Sequence, residues 1–119
     1  AALSAALELG LASGDDRVAA EALARRIFVR AELAGQPERA LADRGIGRAL
    51  LRRAGADPRL SWLFANNLAV AHERATHYDE AAARYEEALH AADALGDSIE
   101  GVYTRHNLGL VFLRLARFA

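Results

Sequence analysis

The chain has no cysteine, no methionine and no lysine, and it has only two prolines in 119 residues. The lack of cysteine excludes disulfides, thiolate metal ligands and cysteine nucleophiles. Fifteen basic residues, all arginine, stand against sixteen acidic residues. The net charge of −1 therefore provides no global field to attract nucleic acid or an anionic membrane.

Long apolar runs are also missing. No stretch approaches the roughly 18 residues that a membrane span requires, and no segment resembles a signal peptide. We therefore expect no membrane partner and a cytoplasmic location. A chain that starts at Ala1 and contains no methionine is expected to be a fragment of a longer protein.

The residues that are present favour a helical domain. Apolar residues make up 53% of the chain and charged residues 26%, a balance typical of a globular protein. Alanine, the best helix former, is the most frequent residue. The period-two alternation of strands is absent, and apolar residues recur at helical spacing. These features predict an all-α fold.

A signal for a helix end and a new start recurs at intervals of 41 residues, at Gly14, Gly55 and Gly96. Glycine accepts the left-handed conformation that ends a helix, and an Asp or Ser shortly after it can cap the next helix. The chain therefore divides into units 1–14, 15–55, 56–96 and 97–119. About six antiparallel helices follow, including one from Pro37 to about Ala54, a pair at 58–75 and 78–95, and a last helix from near Ser98.

Two stretches carry a specific pattern. Residues 63–89 contain Leu68-Ala69 in the first helix and Ala81, Tyr85 and Ala88 in the second. The last unit contains Asn107-Leu108-Gly109, with Leu108 placed 40 residues after Leu68. Small residues let two helices approach closely, and the aromatic residue fills the space between them.

This pattern resembles the tetratricopeptide repeat (TPR). The resemblance implies a right-handed superhelical array of α-hairpins in a single domain, which comprises the end of one repeat, a degenerate repeat, a good repeat and the first helix of another. The period is longer than the family's usual one, as in kinesin light chains and in the helical arrays of large bacterial signalling proteins. Unit 15–55 departs from the pattern, because Arg26 stands where Leu68 does and Arg44 and Gly47 stand where Tyr85 and Ala88 do.

In this family the first helices line a concave face that binds peptides or protein segments. Two asparagines, one before each Leu-Gly position, could bind an extended backbone or could instead bridge neighbouring helices. Two arginines would favour an acidic or carboxylate-bearing segment, or could be merely solvated. The resemblance places the following residues on that face: Asn66, Asn67, Val70, Arg74, Tyr103, His106, Asn107, Leu110 and Arg114.

The leading hypothesis is a non-catalytic interaction or scaffold module without a cofactor, whose groove binds a segment of a partner or of its own parent chain. The alternative is a small-molecule-sensing or regulatory array in a larger signalling protein or transcription regulator. That alternative predicts a closed pocket lined by Asn66, Asn67, Tyr103 and His106. In a third hypothesis the repeats only space or self-associate other domains, and exposed end helices would make self-association possible.

Three other motifs do not indicate a function. His72 and His77 are five residues apart, whereas a zinc-protease helix needs a spacing of four. Gly45-Ile46-Gly47 lacks the third glycine of a dinucleotide-binding loop. A stripe of arginines has no interleaved aromatic residues, so we interpret it as a solvated face and expect no nucleic acid partner. That stripe comprises Arg44, Arg48 and Arg52, with Arg53 beside it.

Overall fold

The computed structural model describes residues 2–96 and 98–118, and this part of the chain is helical, with no strand. The all-α prediction is therefore confirmed. The α-helices are α1 (Ala2–Ser13), α2 (Asp16–Phe28), α3 (Pro37–Leu41), α4 (Arg44–Arg53), α5 (Pro58–Arg74), α6 (Tyr78–Asp93) and α7 (Ile99–Phe118). A π-helical turn, Val29–Leu33, continues α2.

The helix boundaries follow from local chemistry. Gly14, Gly55 and Gly96 all have positive φ angles, as the stop signals predict. The carboxylate of Asp15 accepts a hydrogen bond from the backbone N–H of Val18 at 3.1 Å. Equivalent bonds join Asp57 to the N–H of Leu60 at 3.0 Å and the Ser98 hydroxyl to the N–H of Gly101 at 3.2 Å. Each of these caps satisfies an N–H group that the first turn of a helix leaves free.

The expected helix from Pro37 to Ala54 is wrong: two helices, α3 and α4, occupy this stretch and are separated at 42–43. The break turns the carboxylate of Asp43 inward. Its Oδ2 atom accepts from Arg26 Nη2 and from Arg30 Nη1, both at 2.9 Å. Arg26 occupies the position that Leu68 has in the following unit. It therefore pairs with a buried acidic side chain instead of packing on an apolar one, and the α3–α4 break supplies that side chain, Asp43.

The hairpin of α5 and α6 contains the best-packed part of the core. Ala81, Tyr85 and Ala88 are all buried, as the packing argument expects. The hydroxyl of Tyr85 donates to Glu73 Oε1 at 3.0 Å, so its one polar atom is satisfied. Phe64, on α5, packs over Gly47 of α4, where a Cβ atom would overlap its ring. Glycine at position 47 is therefore a packing requirement.

Helix α5 also lies between α2 and α7. The indole Nε1 of Trp62 donates to Thr104 Oγ1 at 2.8 Å and joins α5 to α7. Near the helix starts, Arg17 of α2 pairs with the cap residue Asp57. Arg59 of α5 pairs with Glu100 of α7 at 2.7 Å. Arg17 and Arg59 are the second residues of α2 and α5. Their side chains thus reach the starts of α5 and α7, respectively.

Large apolar side chains are exposed on the two outer helices. Leu9 of α1 is 67% exposed, and Leu113 of α7 is 66% exposed. Every helix in the described ranges is too short or too polar to cross a membrane.

A candidate binding groove along α2, α5 and α7

One side of α2, α5 and α7 forms an open groove of about 560 Å³ with a mostly apolar wall. Helix α2 and its π-helical turn supply one edge, α5 supplies the floor, and α7 supplies the other edge. We call this cavity the apolar groove. Its lining residues are Leu3, Arg25, Phe28, Val29, Leu33, Trp62, Leu63, Asn66, Asn67, Ile99, Glu100 and Tyr103.

A smaller polar cavity of about 170 Å³ shares Phe28 and Tyr103 with the apolar groove. We call it the polar end. The two cavities together are lined by six of the nine residues expected on the concave face. The polar end is lined by Phe28, Glu32, Val70, Glu73, Arg74, Tyr85, Tyr103 and Asn107.

The two adjacent asparagines of α5 have different roles. Both are buried. Asn67 Nδ2 donates to the backbone carbonyl oxygen of Ala24 at 2.9 Å, and Asn67 Oδ1 accepts from Asn66 Nδ2 at 3.3 Å. Asn67 therefore bridges α5 and α2, which is the structural alternative left open by the sequence. Asn66 Oδ1, in contrast, is buried and has no hydrogen-bond donor among the described residues.

The expected arginines are already compensated. Arg74 Nε donates to Glu32 Oε2 at 2.7 Å, and this bond lowers the pKa of the Glu32 carboxyl and raises that of Arg74. Arg114 Nη1 lies 3.5 Å from the Tyr78 hydroxyl, and its Nη2 lies 4.0 Å from Glu73 Oε2. The polar end is therefore close to charge-balanced, and neither arginine provides the uncompensated positive charge on which the preference for an acidic segment was based.

Three of the expected residues do not line either cavity. His106 is exposed on α7, and Leu110 is 41% exposed on the same helix. Arg114 contacts Tyr78 at the start of α6 and pairs with Glu73, but it does not itself line either cavity. The sensor hypothesis expected a closed pocket that includes His106. The structure instead has an open groove lined by Asn66, Asn67 and Tyr103, without His106.

Sequence reasoning missed the edge formed by Phe28, Val29 and Leu33. The π-helical turn adds a residue to the helical ladder, with the N–H of Ala34 donating to the carbonyl of Val29 at 2.9 Å. It leaves Leu33 72% exposed beside the groove. Such turns recur at functional sites. No spacing in the sequence predicts the turn; the one available signal was a leucine just before the helix-ending Gly35.

Among residues 2–96 and 98–118, no group of three or more His, Asp or Glu side chains is placed to hold a metal ion. Comparisons with models of known protein families, with curated protein sequences and with solved structures find no match to this chain.

Proposed function

We propose that this chain is a TPR-type array whose apolar groove binds an extended or helical segment of another protein or of its own parent chain, without catalysis. Support for the TPR-type arrangement comes from the recurring caps and from the α5–α6 packing at Ala81, Tyr85 and Ala88. The right-handed superhelix is part of this proposal.

The observation that carries the binding function is the apolar groove itself. A cavity of about 560 Å³ lined mainly by apolar side chains leaves hydrophobic surface in water, and covering it is favourable by roughly 25 cal/mol for each Å² of apolar area. The arginine–glutamate pairing at the polar end favours a neutral or mixed-charge segment over a strongly acidic one.

The test uses Trp62, the single tryptophan, which lines the groove and reports its occupancy through fluorescence. Peptides selected from a random displayed library are titrated against the native chain and against the groove variants Leu33→Glu and Tyr103→Ala. Both side chains are well exposed, so the fold should tolerate these changes. We expect each variant to weaken binding by roughly tenfold or more.

The control is Leu113→Glu, which changes an equally exposed leucine outside the groove lining. It should bind the selected peptides as the native chain does. The proposal is rejected if the peptides bind all four proteins equally, or if no peptide binds the native chain.

The volume of the groove also favours a second candidate, an apolar small molecule, because sites for such ligands span roughly 300 to 1,000 Å³. A screen of apolar compounds with the same Trp62 signal separates the two functions. Saturable binding of a compound that peptides do not displace would favour a regulatory or sensing array.

A further inference from the structure

A third cavity, of about 590 Å³, lies on the other side of α5 from the apolar groove. Leu68 and His72 of α5 face it, whereas Asn66, two residues from Leu68, faces the groove. We call it the basic cavity. Its lining residues are Leu41, Arg44, Gly45, Arg48, Leu68, His72, His77, Glu80 and Arg84.

The basic cavity has more cationic groups than acidic ones. Three arginines line it, and among the described residues Glu80 in the wall and Glu87 beside it are the carboxylates that the lining and the ion pairs place next to them. Glu87 is shared, because its Oε1 lies 3.1 Å from Arg48 Nη1 and its Oε2 lies 3.3 Å from Arg84 Nε. With both histidines neutral, three arginines against two carboxylates leave the cavity an excess of one positive charge.

Two of the arginines have unused donors. The contact of Arg84 Nε with Glu87 does not have hydrogen-bond geometry, and this buried N–H has no acceptor in the described part of the chain. Arg44 Nη1 donates to the carbonyl oxygen of Leu41 at 2.8 Å. Within 2–96 and 98–118, no carboxylate lies at salt-bridge distance from Arg44. An anion entering the cavity could accept from both guanidinium groups.

The turn between α5 and α6 adds further donors. His77 is the N-cap residue of α6, yet its side chain makes no capping hydrogen bond. The start of the 16-residue helix α6 thus lies beside the cavity. His77 Nδ1 also lies 3.4 Å from His72 Nδ1, so two imidazoles stand together at this edge.

From these observations we infer that the basic cavity binds a phosphate monoester. Its three guanidinium groups can donate to the several oxygens of a tetrahedral oxyanion, and they suit such an anion better than a single carboxylate. The cavity has room beyond the phosphoryl group, and Leu41, Gly45 and Leu68 form an apolar wall for the attached part of the ligand. The site shares no lining residue with the proposed peptide groove, so its existence does not depend on that function.

Protonation of His72 is coupled to this binding. Burial, and then the charges of His77, Arg84 and Arg44, lower the pKa of His72, while Glu80 opposes them. The charged groups around His72 are Arg44 and Arg48 from α4 and His77, Glu80, Arg84 and Glu87 from α6. A bound dianion reverses the local excess of positive charge, so it should raise the pKa of His72.

The test follows the imidazole signals of the four histidines by NMR while inorganic phosphate is added at constant ionic strength. His72 and His77 should shift saturably, and the pKa of His72 should rise. His90 and His106, outside the cavity lining, should not respond. Equal shifts of all four histidines would mean charge screening alone and would overturn the site.

Two variants test the arginines, with circular dichroism as the check of folding. Arg84→Gln and Arg44→Gln should each weaken phosphate binding by roughly tenfold. Arg52→Gln changes an exposed arginine of the same helix outside the cavity, and it should leave binding unchanged. If folded Arg84→Gln and Arg44→Gln proteins both bind as tightly as the native chain, the inference is wrong.

The source of the phosphoryl group is distinguished by two further probes, N-acetyl-phosphoserine amide and glucose 6-phosphate. Tighter binding of the phosphoserine probe than of inorganic phosphate would assign the site to a phosphorylated protein segment. Tighter binding of the sugar phosphate would assign it to a small metabolite. Failure of both, together with a failure of inorganic phosphate, would overturn the inference while leaving the peptide groove untouched.

Discussion

The side-chain amide of Asn67 donates to the backbone carbonyl of Ala24 at 2.9 Å, and this bond ties α5 to α2 beneath the floor of the groove. Both residues are buried, so removal of the donor would leave a buried carbonyl oxygen without this partner. A buried polar group that loses its partner costs roughly 1–3 kcal/mol.

Asn67→Ala is therefore expected to lower the free energy of unfolding by about 2 kcal/mol, measured by urea denaturation. Asn107→Ala, at the equivalent position on half-exposed α7, should cost less than about 0.5 kcal/mol. The two asparagines are changed separately, because a variant that lacks both could lose binding only through its lost stability. Equal costs at the two positions would contradict the bridging role of Asn67.

Two glycines of α4 offer a matched pair. Gly47 lies against Phe64, and a Cβ atom there would overlap the ring, whereas a Cβ atom at Gly45 would meet open space. Gly47→Ala should destabilise the fold by about 1–3 kcal/mol through overpacking. Gly45→Ala should stabilise it by up to about 1 kcal/mol, because alanine is the better helix former. Thermal unfolding of the two variants checks this, and a shift of the same sign in both would refute it.

Several local features of the fold could be predicted from the sequence. The stops at Gly14, Gly55 and Gly96, the caps at Asp15 and Asp57, and the burial of Tyr85 depend on neighbouring residues or on one hairpin, and local patterns indicated them. The all-α class followed from the same patterns.

Features that depend on pairing between distant residues were not predicted. Glu32 binds Arg74 across 42 positions, and Asp43 binds Arg26 across 17 positions. Helical periodicity identifies neighbours along one helix, so it could place Arg74 near the groove but could not show that its charge was already paired. The π-helical turn is a further case, since its extra residue shifts the face that Leu33 presents.

The buried ionic cluster at the α3–α4 break gives a third prediction. Asp43 accepts from both Arg26 and Arg30, and all three side chains are largely shielded from water. Asp43→Ala should lower the free energy of unfolding by about 3 kcal/mol, because two guanidinium groups lose their acidic partner. Glu21→Ala, which breaks the exposed Glu21–Arg25 pair, should cost less than about 0.5 kcal/mol. Chemical denaturation of both variants measures the difference; similar costs would exclude a special role for Asp43.

The exposed apolar faces of the outer helices give a fourth prediction, that α1 of one copy packs on α7 of another. Helix α1 carries Glu8 as its only charge, and α7 carries three arginines, among them Arg105 and Arg117. The contact joins two different surfaces, so it does not close on itself, and species larger than dimers should form. Sedimentation at increasing concentration should show them, with less association for Leu9→Glu or Leu113→Glu. A chain that stays monomeric, or variants that associate equally, would exclude this contact.

The last prediction concerns pH. The folded pKa of His72 is lowered, mainly by burial, from the 6.5 expected in the unfolded chain. Above about pH 6.5 the ring is neutral in both states, and its burial carries no penalty. As the pH falls below that value the unfolded chain takes up the proton first, so stability should decline between pH 7 and 5.5. Glu32 acts in a separate, more acidic window, because its lowered pKa makes its contribution disappear only as the pH falls below 4.5.

Urea denaturation in phosphate-free buffers at pH 5.5, 6.2 and 7 measures this slope. His72→Gln should flatten it, whereas His90→Gln, an exposed change on α6, should leave it as in the native chain. Added phosphate should reduce the loss at pH 5.5, because the anion binds the protonated folded state and stabilises it in proportion to its affinity. A native slope that persists in His72→Gln would place the titrating group elsewhere. A slope that phosphate does not change would count against the basic cavity, while the burial of His72 would still stand.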